Sequence, residues 1–263
     1  MSDKRRPIAI VTGASSGIGR ATATVLAGRG FDVGIGYRAN EKAAHETAEA
    51  VAARGAAALV FAQDLADPAG AAAALDAAVE RLGGVDVFVN NAGVNRRASF
   101  LEETLQDWQR VLAVDLTGPF GCAQVAARHM VRQGRGGRIV NVSSVHDTIP
   151  IAGGATYCAA KGGLSMLTKV MALELAEHDI TVNAVSPGET ATPMNGVPDE
   201  VDAAEVARPE IPLGRPGRSR EVAELIAFLA EPGAAYLTGA LITVDGGLSL
   251  MAAVANARYA GRN

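Results

Sequence analysis

Short runs rich in β-branched residues alternate along this chain with longer alanine-rich stretches of helical period, and this alternation restricts the fold more than any other feature. The candidate strands are 8–12, 31–37, 57–62, 85–90, 137–143, 180–186 and 241–245. The first six are almost continuously apolar, as expected for strands covered on both faces, and the gaps between them can hold crossover helices. The sequence therefore predicts an α/β fold with a doubly wound parallel sheet of seven strands and helices on both faces.

The chain is predicted to form one domain, residues 1–263, because no linker or internal repeat divides it. With 49% hydrophobic and 20% charged residues, it can bury a substantial core. The 24 basic and 28 acidic residues are spread along the chain without a basic stripe, so no nucleic-acid partner is expected. Cys122 and Cys158 lack zinc-ligand spacing, and no metal site is predicted.

Membrane association is not expected either. The basic start of the chain leads into an apolar run that ends at Gly13 after a few residues, and no stretch reaches the roughly 18 apolar residues of a membrane span. We therefore predict a cytoplasmic protein.

Residues 187–218 interrupt the alternation of strands and helices. This segment carries six prolines, so no long regular element fits there. A loop of this length inside a compact domain is usually functional, which predicts a substrate lid, with a plain surface insertion as the alternative. Residues 248–263 form a predicted C-terminal tail.

The segment "VTGASSGIGR" (11–20) places Gly13, Gly17 and Gly19 where the first strand turns into the first helix. Glycine lets the backbone turn sharply and lets a pyrophosphate approach a helix N-terminus, where unpaired N–H groups point at the ligand. This spacing, between a strand and a helix, indicates a Rossmann-type dinucleotide site.

The end of the second strand bears on which nucleotide binds. A ribose-reading acid is expected there, but the strand ends in Tyr37 and Arg38, and Asp32 lies at its beginning. A guanidinium can pair with a 2′-phosphate, so NADP(H) is favoured and NAD(H) is the alternative. Asp64, after the third strand, is placed to contact the adenine, and "NNAG" (90–93) is placed to run beside the cofactor.

Tyr157 and Lys161 lie four residues apart in a helical stretch and therefore share one face. A free phenol has a pKa of ~10, which is too high for it to lose its proton and act as a base at neutral pH. An ammonium at ~4 Å stabilises a phenolate by roughly 1 to 4 kcal/mol, depending on the effective dielectric. The pair therefore predicts that Tyr157 is a general acid toward a ketone or a general base toward an alcohol, and Ser144 is placed to hydrogen-bond the substrate oxygen.

With these residues in place, the chain resembles the short-chain dehydrogenase/reductase family over nearly its whole length. The segments that carry the resemblance are "TGASSGIG" (12–19), "NNAG", Ser144, "YCAAK" (157–161), "NAVSPG" (183–188) with Thr192, and "VDGG" (244–247). The resemblance implies hydride transfer to or from a nicotinamide, a homotetramer, ribose binding by Lys161, and positioning of the nicotinamide by Pro187 and Thr192.

The complete set of predicted cofactor-binding residues follows from the strand ends and the resemblance together. It comprises Gly13, Ser15, Ser16, Gly17, Ile18, Gly19, Tyr37, Arg38, Asp64, Leu65, Asn91, Ala92, Gly93, Tyr157, Lys161, Pro187, Gly188, Thr190 and Thr192.

The chain departs from the family pattern at Asp115. The family usually has asparagine in the corresponding "VNLTG" segment, where it helps to hold a water that relays protons to the lysine, whereas this chain reads "VDLTG". We place Asp115 with Ser144, Tyr157 and Lys161 in the predicted catalytic set, and expect activity to be retained.

Within the family, "YRAN" (37–40) and "SSVHDTIP" (143–150) look most like the glucose 1-dehydrogenase group, which implies a sugar or another small polar carbonyl substrate. The alternative is a 3-oxoacyl-carrier-protein reductase, for which a basic segment (128–138) with Arg128, Arg132, Arg135 and Arg138 offers a surface for an acidic carrier. The acidic "EHD" (177–179) disfavours this alternative, because it lies where a second basic contact to the carrier would help. A catalytically silent NADP-binding sensor or scaffold is the alternative of another class.

The residues just beyond strands four, five and six are candidates for the substrate pocket. They are Arg96, Arg97, His146 and Glu189.

Overall fold

The computed structural model describes residues 5–199 and 201–251. A parallel sheet of seven strands lies at its centre. The strands are β1 (Ile8–Val11), β2 (Asp32–Tyr37), β3 (Ala58–Ala62), β4 (Val87–Asn90), β5 (Gly137–Val142), β6 (Ile180–Pro187) and β9 (Leu241–Val244). Their order is β3-β2-β1-β4-β5-β6-β9, and every adjacent pair is parallel. The predicted seven-stranded sheet is confirmed, and each strand end lies within two residues of its expected position.

Helices connect the strands. They are α1 (Gly17–Gly28), α2 (Glu41–Ala52), α3 (Pro68–Leu82), α4 (Leu105–Leu112), α5 (Gly118–Gln133), α6 (Ala155–Leu175) and α7 (Ser219–Ala230). Local signals set their ends: the Asp67 side chain accepts a hydrogen bond from the Gly70 N–H to cap α3, which then ends at Gly83 in the left-handed conformation. One turn of π-helix (Ala113–Thr117) joins α4 to α5.

Both faces of the sheet are covered by helices, as predicted. In β1, Ala9 and Val11 belong to an apolar core shared with residues of α1 and α7. Ile8 and Ile10 point the other way, into a second core with residues of α3, α5 and α6. Strands that are buried on both faces explain the nearly continuous apolar runs in the sequence.

The chain order creates a topological switch between β1 and β4. The chain runs outward from β1 through β2 to β3 and then returns to β4 on the other side of β1. The connections that leave β1 and β4 therefore diverge to opposite sides and open a crevice at the carboxyl ends of the strands.

The segment after β6 carries only short elements among its described residues, 188–199 and 201–218. Two of them, β7 (Thr190–Ala191) and β8 (Gly217–Arg218), pair in a small parallel sheet, and 3₁₀ turns cover Pro193–Asn195 and Ala203–Glu205. The prolines keep the segment irregular, as expected. In the predicted tail, Leu248–Met251 form a 3₁₀ turn, and residues 252–263 lie outside the described part of the chain.

Candidate active site

Three positions of the loop between β1 and α1 require glycine. Gly13 and Gly17 have φ values of 64° and 52°, which disfavour any other residue. A Cβ on Gly19 would lie 2.3 Å from the Gly13 carbonyl oxygen and 2.5 Å from Asn91 Nδ2. The loop passes into the N-terminus of α1, where the Gly17 N–H donates to the Asp199 carboxylate at 3.3 Å. This end of the helix thus binds an anionic oxygen, as a pyrophosphate requires.

Hydrogen bonds join the residues that follow β4 to the residue that follows β1. Thr12 Oγ1 accepts hydrogen bonds from the N–H groups of Asn91 and Ala92, both at 3.0 Å, and Asn91 Nδ2 donates to the Thr12 carbonyl oxygen at 2.9 Å. These contacts hold the "NNAG" segment against the glycine loop. The sequence predicted only that the backbone of this segment runs beside the cofactor. The structure shows that the Asn91 side chain also holds the segment in place.

A crevice of about 810 Å³ opens at the carboxyl ends of the strands. Every residue of the predicted cofactor-binding and catalytic sets lines it except Gly19, which lies beneath the loop. Other lining residues were missed by sequence reasoning, notably Gln63, Asn95, Met194, Arg208, Ile211 and Leu248. Most of these lie in loops, where no local period singles a residue out.

At one end of the crevice, Arg38 is exposed directly after β2. No carboxylate ends this strand: Asp32, at its other end, forms an ion pair with Arg6 Nε at 3.1 Å and accepts a hydrogen bond from the Ala57 N–H at 2.8 Å. Asp64 follows β3, and its Oδ1 accepts from the Ala66 N–H at 3.0 Å. The charge at the end of β2 is therefore positive.

Ser144 lies just beyond β5, with an extended backbone that begins a short 3₁₀ turn, Val145–Asp147. Its Oγ accepts a hydrogen bond from the His146 N–H at 3.2 Å. This bond occupies a lone pair of the oxygen and leaves the hydroxyl hydrogen available to a ligand in the crevice.

Tyr157 and Lys161 lie on one face of α6, one turn apart, and both are buried in the wall of the crevice. Lys161 Nζ lies 5.7 Å from the centre of the Tyr157 ring and donates a hydrogen bond to the Val142 carbonyl oxygen at 3.1 Å. The bond to the end of β5 fixes the ammonium beside the phenol.

Asp115 is held in the π-helical turn and is fully buried. Its Oδ1 accepts a hydrogen bond from the Val94 N–H at 2.8 Å, and its Oδ2 lies 3.7 Å from Lys161 Nζ. Burial raises the pKa of this carboxyl group, and the positive charge of Lys161 offsets part of that effect. The structure thus brings the predicted fourth residue beside the lysine.

Asp147 organises the site although no sequence pattern singles it out. Its Oδ2 accepts hydrogen bonds from three serine hydroxyls: Ser143 at 3.1 Å, Ser165 at 2.6 Å and Ser186 at 2.8 Å. These serines come from the end of β5, from α6 and from β6. One carboxylate therefore ties together the three segments that carry Ser144, the Tyr–Lys pair and Pro187.

Of the candidate pocket residues, Arg97, His146 and Glu189 line the crevice and Arg96 does not. The Arg96 guanidinium instead pairs with Glu103 at 3.0 Å and Asp107 at 2.9 Å. These two acids, seven and eleven residues away along the chain, turn the side chain toward the start of α4, which its position after β4 alone could not reveal.

Among the described residues, no group of three or more histidine, cysteine, aspartate or glutamate side chains could hold a metal ion. No helix in the described part of the chain has the length and apolarity needed to cross a membrane.

Comparison with known proteins agrees with this geometry. Residues 13–249 match the model of a family described as enoyl-(acyl carrier protein) reductase. The solved structure of acetoin dehydrogenase from Enterobacter cloacae superimposes with a TM-score of 0.90 at 46% identity, covering 95% of this chain and 98% of that one.

Two further relatives come from sequence comparison. Glucose 1-dehydrogenase 2 of Bacillus subtilis is 38% identical over 243 residues, covering 92% of this chain and 94% of the relative. The 3-oxoacyl-[acyl-carrier-protein] reductase of Synechocystis is 40% identical over 242 residues, covering 92% and 96%.

The chain belongs to the short-chain dehydrogenase/reductase family. It is an oxidoreductase of the class that acts on CH–OH groups with NAD(P). The residues present fit such a dinucleotide, because the loop that carries Gly13 and Gly17 lines the crevice and leads into the N-terminus of α1, whose N–H groups suit a pyrophosphate.

Proposed function

We propose that this enzyme interconverts a secondary alcohol and a ketone, with a small polar carbonyl compound or a sugar as substrate and Tyr157 as the general acid or base. The observation that carries the proposal is the convergence of Ser144, Tyr157 and Lys161 on the crevice that also holds the glycine loop. A proton donor, an oxygen-binding hydroxyl and a dinucleotide cradle thus share one space.

In the proposed mechanism, the Ser144 hydroxyl donates a hydrogen bond to the substrate oxygen, using the hydrogen that its contact with His146 leaves free. In the reductive direction the Tyr157 hydroxyl gives its proton to that oxygen, and in the oxidative direction the phenolate takes it back. The Lys161 ammonium stabilises the phenolate and binds the ribose hydroxyls. When bound, the nicotinamide supplies or accepts the hydride at the substrate carbon.

Asp115 extends this proton path. Its fully buried carboxylate lies 3.7 Å from the Lys161 ammonium in the wall of the crevice. We assign it the role of the family asparagine, that of helping to hold a water that passes protons to the lysine. One turn of π-helix at this point leaves backbone groups without their regular helical partners, which suits such a water.

The preferred cofactor is NADP(H), and the support is the charge at the end of β2. Arg38 is exposed at the crevice and no acid ends that strand. A guanidinium there favours a 2′-phosphate, whereas a carboxylate would favour a free ribose hydroxyl.

The substrate is proposed to be small and polar. Arg97, His146 and the ion pair between Glu189 and Arg208, at 2.5 Å, line the part of the crevice beyond the Tyr–Lys pair. The relatives whose names include acetoin dehydrogenase and glucose 1-dehydrogenase act on compounds of this polarity. Residues 187–218, which supply Met194 and Arg208 to the crevice, are proposed to be the lid.

Two alternatives have less support. The basic segment (128–138) that would receive an acyl carrier is partly neutralised, because Arg135 forms an ion pair with Asp86 at 2.7 Å. A silent cofactor-binding sensor would not need Ser144 and Tyr157 together in one crevice. Oxidation of NADPH in the presence of a panel of small ketones tests the sensor alternative, since a sensor reduces none of them. Oxidation of glucose with NADP⁺ or NAD⁺ separates a sugar dehydrogenase from a carrier-protein reductase.

A homotetramer is proposed from the exposed apolar surface of α5 and α6. Met166, Val170 and Leu173 lie on one side of α6 at spacings of four and three residues and are 59%, 42% and 81% exposed, and Phe120 on α5 is 46% exposed. Apolar side chains that form such a stripe are typical of a face covered by another subunit.

A further inference from the structure

His146 presents only one kind of hydrogen-bonding group to the crevice. Its Nδ1 lies 3.0 Å from the Ile149 carbonyl oxygen. A carbonyl oxygen can only accept, so Nδ1 carries the hydrogen and the neutral ring has its lone pair on Nε2. In the described part of the chain, no hydrogen bond to Nε2 is found, and the residue lines the crevice.

The neutral form of this ring is favoured by its surroundings. Burial lowers the pKa of His146 most strongly, and the nearby positive charge of Arg97 lowers it further; the hydrogen bond to the Ile149 carbonyl and the charge of Asp147 offset only part of this. Near neutral pH, the side chain is therefore an acceptor at Nε2 and not a cation.

The ring lies beside the atoms that would do the chemistry. It packs edge-on against Tyr157, with 6.3 Å between ring centres and an angle of 71° between the planes. The backbone N–H of the same residue donates to Ser144 Oγ at 3.2 Å. A substrate oxygen held between Ser144 and Tyr157 therefore brings the neighbouring carbon of the substrate next to His146.

We propose that His146 determines the class of substrate, an inference that rests on the proposed function. Its Nε2 accepts a hydrogen bond from a hydroxyl group on the carbon next to the reacting carbon. The substrates selected in this way are α-hydroxy ketones and the corresponding vicinal diols, including sugars oxidised at a carbon whose neighbour bears a hydroxyl.

The same geometry disfavours a 3-oxoacyl thioester. Such a chain offers two carbonyl oxygens near the reacting carbon and no hydroxyl donor. Pairing it with His146 would remove Nε2 from water and leave it facing another acceptor, and sites built to pair with a hydroxyl discriminate strongly against compounds that lack it.

The test compares two four-carbon ketones that differ only in the neighbouring hydroxyl, 3-hydroxy-2-butanone and 2-butanone, with NADPH as the reductant. For the unaltered enzyme, we expect kcat/KM to be about tenfold or more higher for the hydroxy ketone. In His146→Phe, which keeps an aromatic ring beside Tyr157 but has no acceptor, we expect this ratio to fall toward one. In His146→Gln, whose side-chain carbonyl can accept, we expect an intermediate ratio.

The control is His178→Phe, a histidine change at the end of α6 outside the crevice, which should leave the ratio as it is. A ratio retained in His146→Phe, whether or not both kcat/KM values fall together, would overturn the proposal. So would an unaltered enzyme that reduces both ketones equally well, although the proposed function would then stand. An unaltered enzyme that reduces neither these nor any other ketone overturns the proposed function itself.

Discussion

Asp115 Oδ2 lies 3.7 Å from Lys161 Nζ in the buried wall of the crevice, and it has no hydrogen-bond partner among the described residues. This distance is too long for a hydrogen bond and leaves only an electrostatic attraction. The carboxyl group is therefore buried at a cost, which the raised pKa reflects.

The first prediction concerns stability in Asp115→Asn. A carboxyl group whose pKa is raised by folding binds its proton more tightly in the native state than in the unfolded state. Its contribution to stability therefore falls as the pH rises from about 4, the pKa of the unfolded state, through the raised pKa of the native state. The asparagine variant lacks this loss. We expect it to be more stable at pH 7 by about 1 kcal/mol, with the difference shrinking toward pH 4, as measured by urea unfolding at several pH values.

Turnover of the same variant is expected to be retained or raised, because an amide can also hold the proposed water. A collapse of kcat in a folded Asp115→Asn enzyme would instead show that the negative charge itself is needed.

The second prediction concerns Tyr157→Phe. Removal of the hydroxyl takes away the proposed proton donor but leaves the cofactor cradle intact, so we expect kcat for ketone reduction to fall by about 10²- to 10⁴-fold. Fluorescence titration with NADPH should give a Kd within a few fold of the original. Activity close to that of the unaltered enzyme would remove Tyr157 from its proposed role.

The third prediction concerns Arg38→Ala. Loss of a charge-assisted contact to a 2′-phosphate costs about 1.5 to 3 kcal/mol, so KM for NADPH should rise by roughly 10- to 100-fold while KM for NADH changes little. Arg54→Ala, an arginine change beyond the other end of α2 and outside the crevice, serves as the control; its Nη1 donates to the Ala50 carbonyl oxygen. Parallel changes for both cofactors would argue against recognition of the phosphate.

The fourth prediction concerns Asp147→Ala. The change leaves the hydroxyls of Ser143, Ser165 and Ser186 without their shared acceptor in a buried region. We expect a loss of about 3 kcal/mol or more in the free energy of unfolding and a lower kcat, because the three segments that carry the site are no longer tied. Asp147→Asn keeps one acceptor oxygen and should lose less on both measures. Stability and kcat unchanged in the alanine variant would contradict the positioning role.

The fifth prediction concerns assembly. Leu173→Glu places a charge in the apolar stripe of α6, where the side chain is 81% exposed in the single chain. If other subunits cover this stripe, light scattering after gel filtration should show dissociation from tetramer to smaller species. Ala52→Glu adds the same charge at an exposed position of α2 and should leave the mass unchanged.

Local pattern was sufficient for part of this structure. The strands of the sheet, the glycine spacing and the one-turn separation of Tyr157 and Lys161 follow from periods of two and 3.6 residues, which any sequence displays directly. The end of β2, with Arg38 and no acid, was also readable, because strand ends in a parallel sheet meet at one edge.

The contacts that organise the site could not be predicted in this way. Ser143, Ser165 and Ser186 meet Asp147 from separations of 4, 18 and 39 residues, and no local period links them. The side-chain direction of Arg96 depends on two acids of α4 and its approach. One weak indication of this cluster was present in the sequence, since Ser143 and Ser186 lie at ends of strands that also carry predicted site residues.

The π-helical turn at Ala113–Thr117 makes the site sensitive to chain length as well as to side-chain identity. Loss of a single residue from this turn would let α4 and α5 fuse into one regular helix, and each residue of an α-helix advances the direction of its side chain by about 100°. The acid at position 115 would then face away from its lysine. An in-frame deletion of one codon within this turn is thus expected to take the Asp115 carboxylate out of the site even where the aspartate itself is retained.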